Sequence, residues 1–227
     1  MSFTVLTKIY SEPPFCEREI LRYAGCKATD DSIIDLLNSC IDETKGKLTY
    51  KVCYCISPFS VADGVCDFHA FKTKSEDLAS HLSKCNRAVL FASTVGVEID
   101  RLIAKYSLIS PAKALMFQAI GTERIEALCD AFCADLQKQF NTVQRYSPGY
   151  GDLRLDMQKE FFNLLDCGKR IGLFLNDSLL MSPSKSVTAI VGISDESESA
   201  DDSRINKLCK NKCSACGKEF CTFRRDE

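Results

Sequence analysis

Two short stretches concentrate the residue types that bind ions and small molecules. Near the C-terminus, Cys209, Cys213, Cys216 and Cys221 follow the spacing C-x3-C-x2-C-x4-C. Too few apolar residues accompany them to build a conventional core. One metal ion or cluster can tie such thiolates together, its binding energy replacing the core. Four sulfur ligands fit tetrahedral zinc and equally an iron–sulfur cluster; the plain alternative is a surface tail of free thiols. Lys210, Lys212, Lys218, Arg224 and Arg225 would offset thiolate charge. The second stretch is Arg145-Tyr-Ser147-Pro-Gly149-Tyr150-Gly151-Asp152. Its glycines and proline favour a turn where backbone approaches a ligand closely. Its tyrosines offer stacking faces and hydroxyls, and Arg145 offers a planar fork for a carboxylate. On spacing alone, an ordinary helix–helix loop explains this stretch as well.

No nucleophile elbow, phosphate loop or HExxH motif is present. His69 and His81 have no neighbouring ligand pattern and read as structural. Ten further cysteines are scattered, among them Cys40, Cys53, Cys55, Cys129 and Cys133, and read as small apolar filler. With 29 basic against 31 acidic side chains in 227 residues, the chain lacks the basic excess of a nucleic-acid binder. At 45% hydrophobic it has the apolar content for a sizeable core. The opening MSFTVLTKIYSEPPF does not read as a secretory leader, and no apolar run approaches bilayer length. The expectation is a cytoplasmic protein with reduced thiols and no membrane or nucleic-acid partner.

These residues must be positioned by local elements. Helices are expected over 17–24, ending at Gly25, and from a cap at Asp30 or Asp31. A further helix begins at Ser75, and another covers about 97–106. A long one follows the Ser110-Pro111 start and runs to about Phe140, with Gly121 as a possible break and Leu115, Ile125, Leu128, Cys129, Phe132 and Leu136 expected in the core. Leu48, Tyr50, Val52, Tyr54 and Ile56 alternate with Thr49, Lys51, Cys53, Cys55 and Ser57, predicting a half-buried strand. Asp63-Gly64 predicts a hairpin turn. Strands are expected over 88–94, 171–175 and 186–193, with a helix between the Arg145 loop and Asp166. Mixed helices and hairpin-like strands predict an α+β fold over residues 1–193. The acidic, serine-rich stretch 194–204 reads as a linker, and 205–227 as a small cysteine-rich tail.

Arg145-x-x-x-Gly149-Tyr150 resembles the S-adenosylmethionine-binding motif of the activation domain of cobalamin-dependent methionine synthase. The later stretch containing Ser178, Met181, Pro183, Ser186 and Val187 is similar to that family's second signature. The element order around the two motifs also agrees, most clearly over residues 85–193. Where the family commonly has proline after the tyrosine, this chain has Gly151, which predicts a looser turn. Cys209-x3-Cys213-x2-Cys216 also matches the cluster spacing of radical enzymes, but those place it before a long barrel.

The resemblance implies a mostly antiparallel twisted sheet packed by helices. It implies S-adenosylmethionine as methyl donor to cob(II)alamin, in the reductive reactivation of methionine synthase or a related corrinoid methyltransferase. The cobalamin would be supplied by the partner protein, with this domain acting in trans, and an electron by a flavodoxin or ferredoxin. It implies that Arg145 receives the methionine carboxylate and that the backbone around Ser147, Gly149 and Tyr150 contacts the ligand. Glu126 and Asp130, on the preceding helix, are candidates to face the sulfonium. Ser178, Met181, Pro183 and Ser186 would form another wall of the site or part of a corrinoid-facing surface. A non-catalytic module that binds S-adenosylmethionine or a corrinoid protein, with a structural zinc tail, is the alternative.

Overall fold

The computed structural model describes residues 3–26 and 30–194. The four-cysteine tail and the linker beyond Ser194 lie outside the described residues. Local signals set the elements. Asp30 accepts the Ile33 N–H at 3.0 Å and starts one helix, and Ser75 accepts the Leu78 N–H at 3.0 Å and starts another. Asp63 and Gly64 both take left-handed backbone, with φ of 51° and 71°, as a tight hairpin turn requires. In chain order the elements are β1 (Leu6–Tyr10), α1 (Glu17–Tyr23), α2 (Asp31–Thr44), β2 (Tyr50–Pro58), β3 (Ser60–Ala62), β4 (Val65–Asp67) and β5 (Lys72–Lys74). Then come α3 (Glu76–His81), β6 (Arg87–Thr94), α4 (Glu98–Ser107), α5 (Pro111–Gln137) and β7 (Asn141–Thr142). The last are a short 3-10 turn (Leu155–Met157), α6 (Gln158–Leu165), α7 (Cys167–Ile171), β8 (Phe174–Leu175), β9 (Met181–Ser182) and β10 (Ser186–Ser194).

The fold is α+β. An antiparallel five-stranded sheet in the order β1-β2-β6-β10-β7 carries helices on both faces. Small sheets β3-β4-β5 and β8-β9 flank it. Alternation along the strands divides the core in two. Val89 and Phe91 of β6, with Val52 of β2 and Val191 of β10, pack under α1, α2, α4 and α5. Leu90 and Ala92, with Cys53, Cys55 and Ile190, pack under α3, α6 and α7. Each fully buried aliphatic or phenyl side chain contributes roughly 1.5–3 kcal/mol.

This two-sided burial corrects the expectation for β2. Its cysteine face is as buried as its Tyr50–Val52 face, and Ile56, expected on the buried side, is exposed. The alternation cannot reveal a second helical layer contributed by residues a hundred positions later. Four smaller expectations also change. Gly121 does not break α5, because a Cβ there would lie 2.9 Å from Ile99 Cγ1 and from Lys185 Cγ, so the glycine permits close packing of α4 and the segment before β10. Leu115 is exposed, in the first turns of α5 before the helix enters the core. Ser110 occupies the cap position, yet its side chain makes no capping bond. Ile171 ends a helix rather than starting a strand, and only Phe174–Leu175 pair with β9.

One buried ion pair had no sequence signal beyond its charges. Arg124 is fully buried beside Glu123 and donates to the carbonyls of Pro13 and Pro14 at 2.5 and 2.7 Å. The Phe15 ring lies 4.0 Å from its guanidinium carbon. These contacts fasten the segment after β1 to the middle of α5, in a position where a charge is tolerated only because its donors are satisfied. Among the described residues, no helix is long and apolar enough to cross a membrane.

Candidate functional site

The Arg145 loop hangs from the edge of the main sheet. Tyr146 and Ile190 exchange two backbone hydrogen bonds of 2.8 Å, prolonging the β7–β10 ladder beyond β7 itself. The chain then turns sharply. Tyr150 N–H donates to Ser147 O at 3.2 Å, Gly149 N–H to Leu153 O at 2.8 Å, and Leu153 N–H to Tyr150 O at 3.0 Å. Gly149 and Gly151 supply φ of 92° and 52°. His81, expected to be structural, lies with Nε2 2.6 Å from Gln144 O and its ring against Tyr146.

The turn is not loosened by Gly151. A Cβ at that position would come within 2.3 Å of Asp77 Oδ2 and 2.4 Å of the Tyr146 hydroxyl oxygen. Proline, with φ fixed near about −65°, cannot adopt this backbone. The neighbouring Asp152 accepts from Ser75 Oγ and, at 2.7 Å, from the Glu76 N–H, so it seals the start of α3 as well as the loop. The Ser75 hydroxyl, followed by these backbone donors, holds the Asp152 carboxyl below its usual range.

Arg145 points back toward α5. Its Nη1 lies 2.5 Å from Asp130 Oδ1 and its Nη2 2.5 Å from Glu126 Oε2. Spacing of four residues on a helix sets the two carboxylates on one face. The Arg145 side chain is only 13% exposed. Burial works against its charge, but the adjacent carboxylates outweigh that effect and raise its pKa. Beneath it, Cys129 Sγ lies 3.3 Å from Ser93 Oγ, and burial pushes this thiol up to about 12, leaving it neutral. One guanidinium thus sits between two carboxylates. In this structure both arms of the Arg145 fork are engaged by protein.

The second signature forms the opposite wall. Asn176 closes the β8–β9 turn by accepting the Leu180 N–H on Oδ1 at 2.9 Å. Ser182–Pro183 is a cis peptide. Ser186 Oγ lies 2.8 Å from Pro183 O and 2.9 Å from Thr94 Oγ1, fixing the entry into β10. Lys185 donates to Thr122 Oγ1 at 3.0 Å, and burial lowers its pKa.

Between the walls lies a cavity of about 300 Å³. Six of the sequence-derived candidates line it: Glu126, Arg145, Ser147, Tyr150, Met181 and Ser186. Asp130 stands behind, reached through Arg145, while Gly149 and Pro183 shape the backbone without lining the cavity. Ser178 lies exposed in the β8–β9 turn, away from the lining. Sequence reasoning missed Gln144, Gln158 and Thr188, which also line it. A signal existed for two of them. Gln158 shares the buried stripe of α6 with Phe161 and Leu165, and Thr188 is in phase with Ile190 on β10, so each is a polar residue at a core position. Among the described residues, no cluster of His, Cys, Asp and Glu could hold a metal ion.

No protein-family model and no curated protein sequence matches the chain. A solved structure does: the crystal structure of the MetH reactivation domain bound to AdoHcy. It covers 88% of this chain and 81% of its own, with a TM-score of 0.61 and 14% identity. At that identity the likeness concerns the fold, and this chain has an activation-domain-like fold.

Proposed function

We propose that this domain binds S-adenosylmethionine in the cavity between the Arg145 loop and β10, and that it serves the reductive reactivation of a corrinoid protein. The observation that carries the reading is the meeting of two motifs. Arg145–Tyr150 and Met181–Ser186 are separated by α6 and α7, yet they enclose one cavity, in a fold whose solved counterpart is bound to AdoHcy. AdoHcy is what remains of S-adenosylmethionine after loss of its methyl group.

The residues present fit such a ligand. About 300 Å³ lies at the lower end of small-molecule sites. The Glu126 carboxylate on the lining, with Asp130 behind it, suits a permanent sulfonium cation and an ammonium group. Arg145 can take the ligand carboxylate by releasing one of its two carboxylate partners. Tyr150, 65% exposed at the mouth, offers a face to whatever docks there. The domain's work is positioning and exclusion of water around the sulfonium methyl. The cobalamin belongs to the partner, a methionine synthase or related corrinoid protein. The conversion joins the methyl group and one electron to cob(II)alamin, releasing AdoHcy, with a flavodoxin or ferredoxin as the electron donor.

Calorimetric titration with S-adenosylmethionine tests the reading: wild-type protein binds, and Arg145→Ala binds at least about tenfold more weakly. Absence of binding by the wild type, with or without a corrinoid partner, defeats it. Conversion of cob(II) to methylcobalamin no faster with the domain than without it would leave a binding module. For the tail, we infer one metal site formed by Cys209, Cys213, Cys216 and Cys221. Anaerobic purification with metal and sulfide analysis separates zinc from an iron–sulfur cluster, and protein free of both refutes the site.

A further inference from the structure

Most polar groups around the cavity are already engaged. Arg145 holds two carboxylates, Ser186 bridges Pro183 and Thr94, and the Tyr146 hydroxyl donates to Tyr150 O at 3.2 Å. Gln158 Oε1 and Thr188 Oγ1 are different. Both residues line the cavity, they are 6% and 2% exposed, and neither oxygen has a hydrogen-bond partner among the described residues. A polar atom buried this way is destabilising unless something satisfies it. Both sit at positions that apolar residues would fill without such a penalty, on the stripe of α6 that carries Phe161 and on the face of β10 that carries Ile190.

The two oxygens also mark a chemically distinct side of the cavity. Glu126 and its partner Arg145 belong with α5, on one face of the sheet; Gln158 begins α6, on the other. The first side is charged. The second is neutral, and the Gln158 oxygen can only accept, so it calls for an N–H or O–H donor on the ligand. A carboxamide presents an acceptor and a donor side by side. That is the pattern complementary to the amino group and adjacent ring nitrogen of adenine, the pairing glutamine and asparagine make with that base elsewhere.

We propose that Gln158 and Thr188 are specificity-determining residues of this cavity. Gln158 reads the exocyclic amine of a bound adenine ring, Thr188 adds a neutral hydrogen bond to the same nucleoside, and the Arg145 side takes the amino-acid portion. This rests on the reading of the cavity as an S-adenosylmethionine site, and it adds a base-selecting side chain to that site.

The test compares S-adenosylmethionine with S-inosylmethionine, in which the amine donor is replaced by an oxygen acceptor. Titrations use the full chain as wild type, Gln158→Leu and Thr188→Val. Wild-type protein prefers the adenosine compound by about tenfold or more. Gln158→Leu brings that ratio close to one, and Thr188→Val weakens both compounds alike while keeping the ratio. Both unliganded variants melt no lower than wild type, because each loses an unsatisfied polar atom; a merely structural role would lower the melting temperature. Equal wild-type affinity for the two compounds, or a preference that survives Gln158→Leu, overturns the assignment of Gln158 and leaves the S-adenosylmethionine site standing. Unchanged affinities in Thr188→Val overturn the part given to Thr188. If neither compound binds wild-type protein, the reading of the cavity falls and takes this proposal with it.

Discussion

Asp152 reaches across from the Arg145 loop to accept the backbone N–H of Glu76 at 2.7 Å, while its own N–H donates to the Asp77 carboxylate at 3.1 Å. The loop that forms one wall of the cavity and the first turn of α3 are therefore a single hydrogen-bonded unit. The Asp77 carboxylate accepts a bond from the loop, and the Asp152 carboxylate caps the helix.

That reciprocity gives Asp152 a pH signature. Its carboxyl is held below the ordinary value of 3.8, so its stabilising effect is complete above that value and is lost as the pH falls through the lower folded-state value. Asp152→Asn is expected to melt at a lower temperature than wild type at pH 7. The gap should narrow as both proteins are melted at progressively more acidic pH. A constant gap down to pH 3 would show that charge is not what Asp152 contributes.

Gly151 is the sharper steric requirement. Gly151→Ala places a methyl group against Asp77 and Tyr146 and is expected to cost about 1–3 kcal/mol in chemical denaturation. Gly151→Pro, which installs the residue common in the resembling family, should be worse still, because the backbone φ of 52° is closed to proline. Gly149→Ala meets only Leu155 Cδ1 at 3.3 Å, so its cost should come from the backbone φ of 92° rather than from a clash. Equal stability of all three variants would contradict the loop geometry.

The Glu126–Arg145–Asp130 cluster should respond unequally to loss of its members. Arg145→Ala removes the guanidinium that Glu126 and Asp130 share, at roughly 1–2 kcal/mol, between the values typical of exposed and buried pairs. Glu126→Gln keeps Arg145 bonded to Asp130, so its stability loss should be smaller. It removes a carboxylate from the cavity lining, and S-adenosylmethionine binding should weaken severalfold in low salt. Denaturation curves and titrations at two salt concentrations check both points.

Thiol labelling reads the second layer of helices. At pH 8 in native protein, Cys16 is exposed and should modify early, whereas Cys129, buried and pushed up to about 12, should stay unmodified until unfolding. Cys55 and Cys66, each raised by burial to about 11, should be similarly protected. Rapid native labelling of Cys55, read by peptide mass spectrometry, would mean that the layer of α6 and α7 does not cover β2.

Much of the local structure was legible because its causes are local. The Asp30 and Ser75 caps, the Asp63-Gly64 turn, the period-two strands and the long α5 each depend on residues within one or two turns of one another. The Arg145 loop stood out for the same reason, since its glycines, proline and tyrosines lie side by side. Tertiary structure alone decided what those residues face. The Arg145 fork meets Asp130 and Glu126 across the end of α5, Gly151 is constrained by Asp77 from a separate helix, and β2 is buried on its cysteine face by α6 and α7. Gln158 and Thr188 look like minor blemishes on apolar stripes until packing shuts both oxygens away from water beside one cavity. Short-range hydrogen bonds and periodicity are written in neighbouring residues. Burial and long-range pairing depend on which distant segments arrive, and this sequence expresses them only once the sheet has brought α5 and α6 to its opposite faces.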